Sequence, residues 1–222
     1  MQREDRIFFP GNPWPGGHVI RDFKWSGRLD PATGVWFDFT LISNDYYAED
    51  ELHAEEEEDD TAEGWTSKAV WANYQHCTIS SRDYRGILAG NAMHKFDWQT
   101  LADNPLKADT LPLPEDFDQD TDVAFSIYLL GHDDCAGHVM RFREAEYGTF
   151  QLQWEGAVAL SYGGDFNFRY RFNALVQNAI FEGFRLPSDI TDTELEGLLE
   201  KYMVDPAAWQ RAGENPRLLE PA

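Results

Sequence analysis

Cysteine is nearly absent. Cys77 and Cys135 are the only two in 222 residues, and two thiols make no disulfide framework. Long apolar runs are missing as well. No stretch approaches the ~20 apolar residues that a membrane-spanning helix needs. Residues 1–6 have mixed charge, and only Ile7-Phe8-Phe9 follows before Pro10, which is not the apolar core of a secretory signal. These absences predict a cytoplasmic protein with no membrane attachment. Short catalytic signatures are missing too: there is no Gly-x-Ser-x-Gly elbow and no Gly-Lys-Ser/Thr phosphate loop.

Basic residues are scarce. Lysine and arginine number 18 against 40 aspartates and glutamates, for a formal net charge of −22. The deficit is local. Residues 45–63 hold 11 carboxylates and residues 109–122 hold six, with no lysine or arginine in either segment. The remainder is only mildly acidic. Such a surface repels phosphate backbones, which excludes nucleic acid as a partner, and it attracts a basic polypeptide. The candidate partner contacts are Glu49, Asp50, Glu51, Asp116, Asp118 and Asp120, which lie nearest the flanking strands. Residues 45–66 read as an acidic mobile loop. The alternative is a solvated loop that only aids solubility.

What the chain does have is alternation. From Phe166 onward, Phe168, Tyr170, Phe172, Ala174 and Val176 share one side, with Asn167, Arg169, Arg171 and Asn173 on the other. A period of two marks a strand with one buried face. The same pattern runs through 18–29 and 35–42, joined by the turn Asp30-Pro31-Ala32-Thr33-Gly34. It recurs at 123–130, 138–143 and 150–160. Residues 68–79 and 93–98 are expected as further strands, and the strand from Phe166 is expected to bend near 173–178. Core positions are predicted at Phe37, Phe39, Phe125, Ile127, Leu152, Trp154, Phe168 and Tyr170. Only the tail reads as helix: Thr191-Asp192-Thr193-Glu194 is a capping box before Leu195, Leu198, Leu199 and Tyr202.

The fold class is therefore all-β. We expect one domain over residues 1–222, an antiparallel β-sandwich or jelly-roll-like fold with a short C-terminal helical segment at 190–211. A partly closed barrel is the competing arrangement.

Four groups of residues carry chemistry worth weighing. The run 131–138 brings His132, Asp134, Cys135 and His138 into an expected turn, and these are metal-ligand types, with His76-Cys77 nearby in type. The spacing fits no zinc template, so a polar hairpin explains it equally. No other cofactor is expected beyond such a divalent ion. The run 116–122 alternates aspartates as calcium sites do, but Thr121 stands where an EF-hand needs glycine. Gln151 and Gln153, with Asn167, Arg169 and Arg171, fall on the polar sides of two strands and suggest a surface for a small polar ligand; an ordinary wet sheet face is the alternative. Trp14, in a turn-rich stretch, is either an exposed contact or a cover for a sheet edge.

Three functions fit. The leading one is a non-enzymatic binding protein of the inhibitor or immunity kind, whose acidic loops recognise a basic polypeptide. The second is a module for a carbohydrate or other small polar ligand. The third is a metal-dependent enzyme using 131–138.

Overall fold

The computed structural model describes residues 4–48, 64–82, 85–119, 121–213 and 215–222. Its centre is a closed antiparallel barrel of eight strands. Strand β1 (Arg6–Phe8) leads to the long hairpin of β2 (His18–Asp30) and β3 (Gly34–Ser43). A short helix α1 (Lys68–Ala72) precedes β4 (Thr78–Ser81). Two small strands follow, β5 (Ile87–Gly90) and β6 (Leu106–Ala108), which pair on β3 and β8 rather than joining the wall. Then come β7 (Phe125–Tyr128), β8 (His132–Glu144), β9 (Phe150–Ala159) and β10 (Tyr170–Ala179). The wall runs β1–β2–β3–β4–β7–β8–β9–β10 and returns to β1, with every pairing antiparallel.

The sandwich or jelly-roll expectation is thus overturned. Alternation tells which side chains face inward but not whether the sheet splits into two layers or closes. Closure depends on β1, three residues long, which bridges Ile7 to Ala174 of β10 and to His18 of β2. That contact joins the two ends of the barrel chain. An eight-stranded barrel has an interior just wide enough to be filled by side chains. Here Trp25, Phe39, Phe125, Phe142, Phe150, Trp154 and Phe172 fill it, all buried. Trp25 alone meets Phe37, Phe39, Trp98, Phe142, Phe150 and Phe181 with ring centroids 4.8–6.2 Å apart. The inward position of β9 opposite Phe172 is Gly156, because a Cβ there would stand 2.4 Å from the Phe172 ring.

Outside the wall, β11 (Phe181–Arg185) continues from β10 and lies parallel to the second half of β2. The strand breaks at the exposed Ile180, just beyond the bend expected at 173–178, and a register shift lies between Val176 and Ala179. Helix α2 (Asp192–Tyr202) carries the capping box at Thr191 and Glu194 and buries Leu195, Leu199 and Tyr202. A final hairpin, β12 (Trp209–Arg211) and β13 (Leu218–Pro221), pairs onto β11.

Other expectations fail locally. Residues 68–79 are not one strand: Ser67 accepts a hydrogen bond from the Val70 N–H and starts α1, and β4 begins only at Thr78. Residues 93–98 form no strand; Met93 is 85% exposed, and only Phe96 makes a bridge, to Met203. Phe166 is exposed, β10 starts at Tyr170, and Phe168 and Tyr170 are half-buried rather than core. The other six predicted core residues are buried.

Among the described residues, no helix is long and apolar enough to cross a membrane. The outward positions of the wall include the polar Lys24, Asp38, Arg141, Gln153 and Glu155 alongside the half-buried Trp36, Ile42 and Leu175.

Candidate functional site

The expected metal cluster does not assemble. Residues 132–138 lie within β8, not in a turn, so their side chains divide between the two faces of the wall. His132 is exposed at the start of the strand, its ring 5.2 Å from that of Tyr128, and Asp134 is half-buried. Cys135 points inward, where its Sγ donates to the Phe125 carbonyl at 3.4 Å. His138 also points inward, although an odd spacing from Cys135 places it on the opposite face of a regular strand. A register shift between Ala136 and Val139, with Gly137 at φ 65°, resets the parity. Among the described residues, no three histidine, cysteine, aspartate or glutamate side chains converge on one point. Cys77 and Cys135 are free thiols, both buried. Burial pushes both thiols well above their ordinary range.

Burial disfavours the charged forms of the interior's titratable groups. His138 accepts a hydrogen bond at Nδ1 from Trp154 Nε1 at 3.2 Å and lies among Phe125, Trp154 and Phe172. Burial lowers its pKa to about 3. At one end of the barrel, His18 is enclosed by Phe9, Trp14, Tyr46 and Trp71. Its Nε2 meets Asn12 Nδ2 at 3.3 Å, and burial followed by nearby Arg6 lowers its pKa to about 4. Trp14 is therefore part of an interior lid and is no exposed contact. The sequence pattern did not single out His18, and Asp133 fell within the 131–138 run without being taken as a metal ligand. Asp133 Oδ2 accepts from the Leu130 N–H at 2.9 Å and Oδ1 from the Tyr162 N–H at 3.3 Å, tying the β7–β8 turn to the β9–β10 loop. Burial raises its pKa.

Of the five expected ligand-contacting residues, two come together. Gln151 and Gln153 face outward on β9, opposite Arg143 and Arg141 of β8. These four, with Asp103 and Asn104, line a cleft of about 520 Å³. Gln153 donates to Glu155 Oε1 at 2.8 Å, and Arg141 donates to Glu155 Oε2 at 3.1 Å. Gln151 donates to Gln177 at 2.8 Å. Asn167, Arg169 and Arg171 lie elsewhere. Arg171 pairs with Ala157, six residues from Gln151 and so roughly 20 Å along the strand. Asn167 and Arg169 both bind Asp165, in the loop before β10.

The acidic contacts also divide. Glu49, Asp50, Glu51 and Asp120 lie outside the described residues, as does most of the expected mobile loop. Asp116 and Asp118 are exposed. Their segment leads into Phe125, which pairs with Ser81 at the far end of β4, whereas β3 leaves for the first acidic segment beside Thr78. The second segment is not free of bases in space. Arg85 Nη2 meets Asp122 Oδ1 at 3.5 Å, and Arg82 donates to the Gln119 carbonyl at 3.4 Å. Asp122 Oδ2 accepts from the Asp118 N–H at 3.0 Å, and Asp109 Oδ2 accepts from the Ala124 N–H at 2.9 Å. These carboxylates hold the loop in shape. Glu115 and Asp116 stand exposed at its tip.

No protein-family model matches this chain, and no similar curated protein or solved structure was found.

Proposed function

We propose that this protein is a non-enzymatic binding module that works through its outer surface and takes a cationic polypeptide as its partner, in the manner of an inhibitor or immunity protein. The observation that carries the reading is the loop at 115–122. Its base is pinned by the Asp118–Asp122 turn and by Arg82 and Arg85, while Glu115 and Asp116 face solvent. A held loop presents its charge without an ordering cost at the contact. The net charge of −22 adds a long-range attraction for a basic partner. Two unpaired, buried cysteines fit a reducing compartment and support a cytoplasmic placement. The metal-dependent reading loses its support, because its four residues are split between the two faces of β8.

The test starts with capture of partners on the immobilised protein. Association rates are then measured across a salt series, for the wild type and for a Glu115→Gln, Asp116→Asn double variant. At ~0.15 M salt the Debye length is about 8 Å, so only charge near the contact still acts. The on-rate should fall with salt, and the variant should start lower and fall less. An on-rate that ignores both salt and the variant contradicts the reading.

A second reading, a carbohydrate or other small polar ligand, is favoured by the cleft of Arg141, Arg143, Gln151 and Gln153. Saturable glycan binding that Gln153→Ala abolishes would establish it; a blank glycan screen would remove it.

A further inference from the structure

The β2–β3 hairpin turns Trp25, Gly27, Phe37 and Phe39 inward, so Lys24, Ser26, Arg28, Asp38 and Thr40 face outward. They floor a groove of about 760 Å³. Arg82 beyond β4 and Arg185 of β11 stand at its two sides. Four bases, Lys24, Arg28, Arg82 and Arg185, and three carboxylates, Asp30, Asp38 and Glu182, line this one groove.

The arginines are held in place. Asp38 Oδ1 accepts from Arg28 Nη1 at 2.6 Å, and Asp38 Oδ2 accepts from Arg185 Nη2 at 2.7 Å. Arg28 and Asp38 are each only 14% exposed at the side chain. Arg28 Nη1 also donates to the Arg85 carbonyl at 2.7 Å, and its guanidinium lies 4.9 Å over the Trp36 ring. Asp38 thus serves both guanidinium groups, while Asp30 and Glu182 also line the groove. Each guanidinium has five N–H donors. Among the described residues, Arg28 finds acceptors only at Nη1, and Arg185 only at Nη2. The unused donors belong to planar forks suited to a carboxylate or phosphate. The hydroxyls of Ser26 and Thr40 lie on the same floor.

The groove does not end there. Pro31 and Pro187 also line a second cleft, of about 400 Å³, walled by Ile190 and by Leu198 of α2. A charged clasp therefore runs into an apolar trough across two shared prolines.

We propose that this continuous groove binds a small amphiphilic organic anion, with its carboxylate or phosphate head between Arg28 and Arg185 and its apolar arm between Pro31, Pro187 and Leu198. Shared chemistry defines the class, and the probes separate the two heads. Octyl phosphate, octanoate and inorganic phosphate are titrated into the full-length protein by calorimetry, with amide chemical shifts followed in parallel. One of the two octyl probes should saturate at one per chain, and inorganic phosphate should bind at least ten-fold more weakly. The shifts should centre on Ser26, Thr40 and Leu198. Arg185→Gln changes an exposed side chain and keeps the Arg28–Asp38 pair, so it should fold normally and weaken the octyl probe about ten-fold. Leu198→Ser should weaken the octyl probe and leave inorganic phosphate unaffected. No saturation by either octyl probe, shifts centred elsewhere, or inorganic phosphate binding as tightly as the octyl probe overturns the proposal. The wild-type shift map decides the matter even where a variant fails to fold.

Discussion

The interior and the outer face of this barrel are built from alternate residues of the same strands, yet they treat charge in opposite ways. In β8, His138 lies within aromatic rings and is held neutral, while His132 lies in the open six residues earlier. In β3, Phe39 packs against Trp25 and Trp154, while Asp38 next to it holds two arginines on the outside. The interior is filled by packed aromatic side chains, so it supplies stability. The outer face holds the charged side chains, the clefts and the exposed loop, so the proposed recognition is assigned there. A residue's face, more than its type, decides which job it has.

The comparison breaks first at Phe39. Its side chain is 1% exposed and meets six aromatic neighbours. Phe39→Ala should cost roughly 3–5 kcal/mol in urea unfolding, and a loss under about 1 kcal/mol would mean the barrel is not filled around it.

Acid sharpens the contrast next. An unfolded histidine titrates near its model value of 6.5, whereas His138 holds out to about 3 and His18 to about 4. Below pH 6.5 the unfolded chain takes up protons that the folded chain refuses. Stability should therefore fall as the pH falls, by about 1.4 kcal/mol per pH unit for each histidine. Asp5, Asp109 and Asp133 have carboxyls raised by burial, which oppose the trend lower down. Between pH 6.5 and 5, His138→Phe should remove half of the slope measured by urea unfolding. An unchanged slope would place His138 in contact with water.

At the edge of the barrel, Thr191→Ala removes the capping box of α2. A loss of about 1 kcal/mol is expected from its thermal unfolding. On the outer face, the Arg141–Glu155 pair at 3.1 Å is half-exposed. A double-mutant cycle should give about 0.2–1 kcal/mol of coupling. A value near that of Phe39 would erase the distinction between the two faces.

Much of this was readable in the chain. The turn at 30–34 is held as its residues imply, with Asp30 Oδ1 accepting from the Ala32 and Thr33 N–H groups at 2.9 and 2.7 Å. Alternation marked Phe37, Phe39, Leu152 and Trp154 as inward. The capping box formed where it was written. Closure was not readable, because it rests on Ile7 meeting Ala174, a pairing across the whole barrel with no local signal. The inward turn of His138 depends on the bulge near Gly137, and one extra residue reverses every later side chain. The region 68–79 misled because Trp71 and Tyr74 suit a strand as well as a helix, and only Ser67 as a cap separates them. At the candidate site, alternation marked Gln151 and Gln153 as outward-facing, but their neighbours Arg141 and Arg143 come from the adjacent strand and needed the register.

The claim that recognition belongs to the outer face is tested most directly by one comparison of rates. The on-rate of a captured cationic partner is measured at about 0.05 and about 0.5 M salt, for the wild type and for the Glu115→Gln, Asp116→Asn variant, with melting temperatures recorded alongside. The account predicts a wild-type on-rate that falls steeply with salt, a variant that begins several-fold slower, and the same melting temperature for both. Equal on-rates at low salt, with the fold intact, would contradict it.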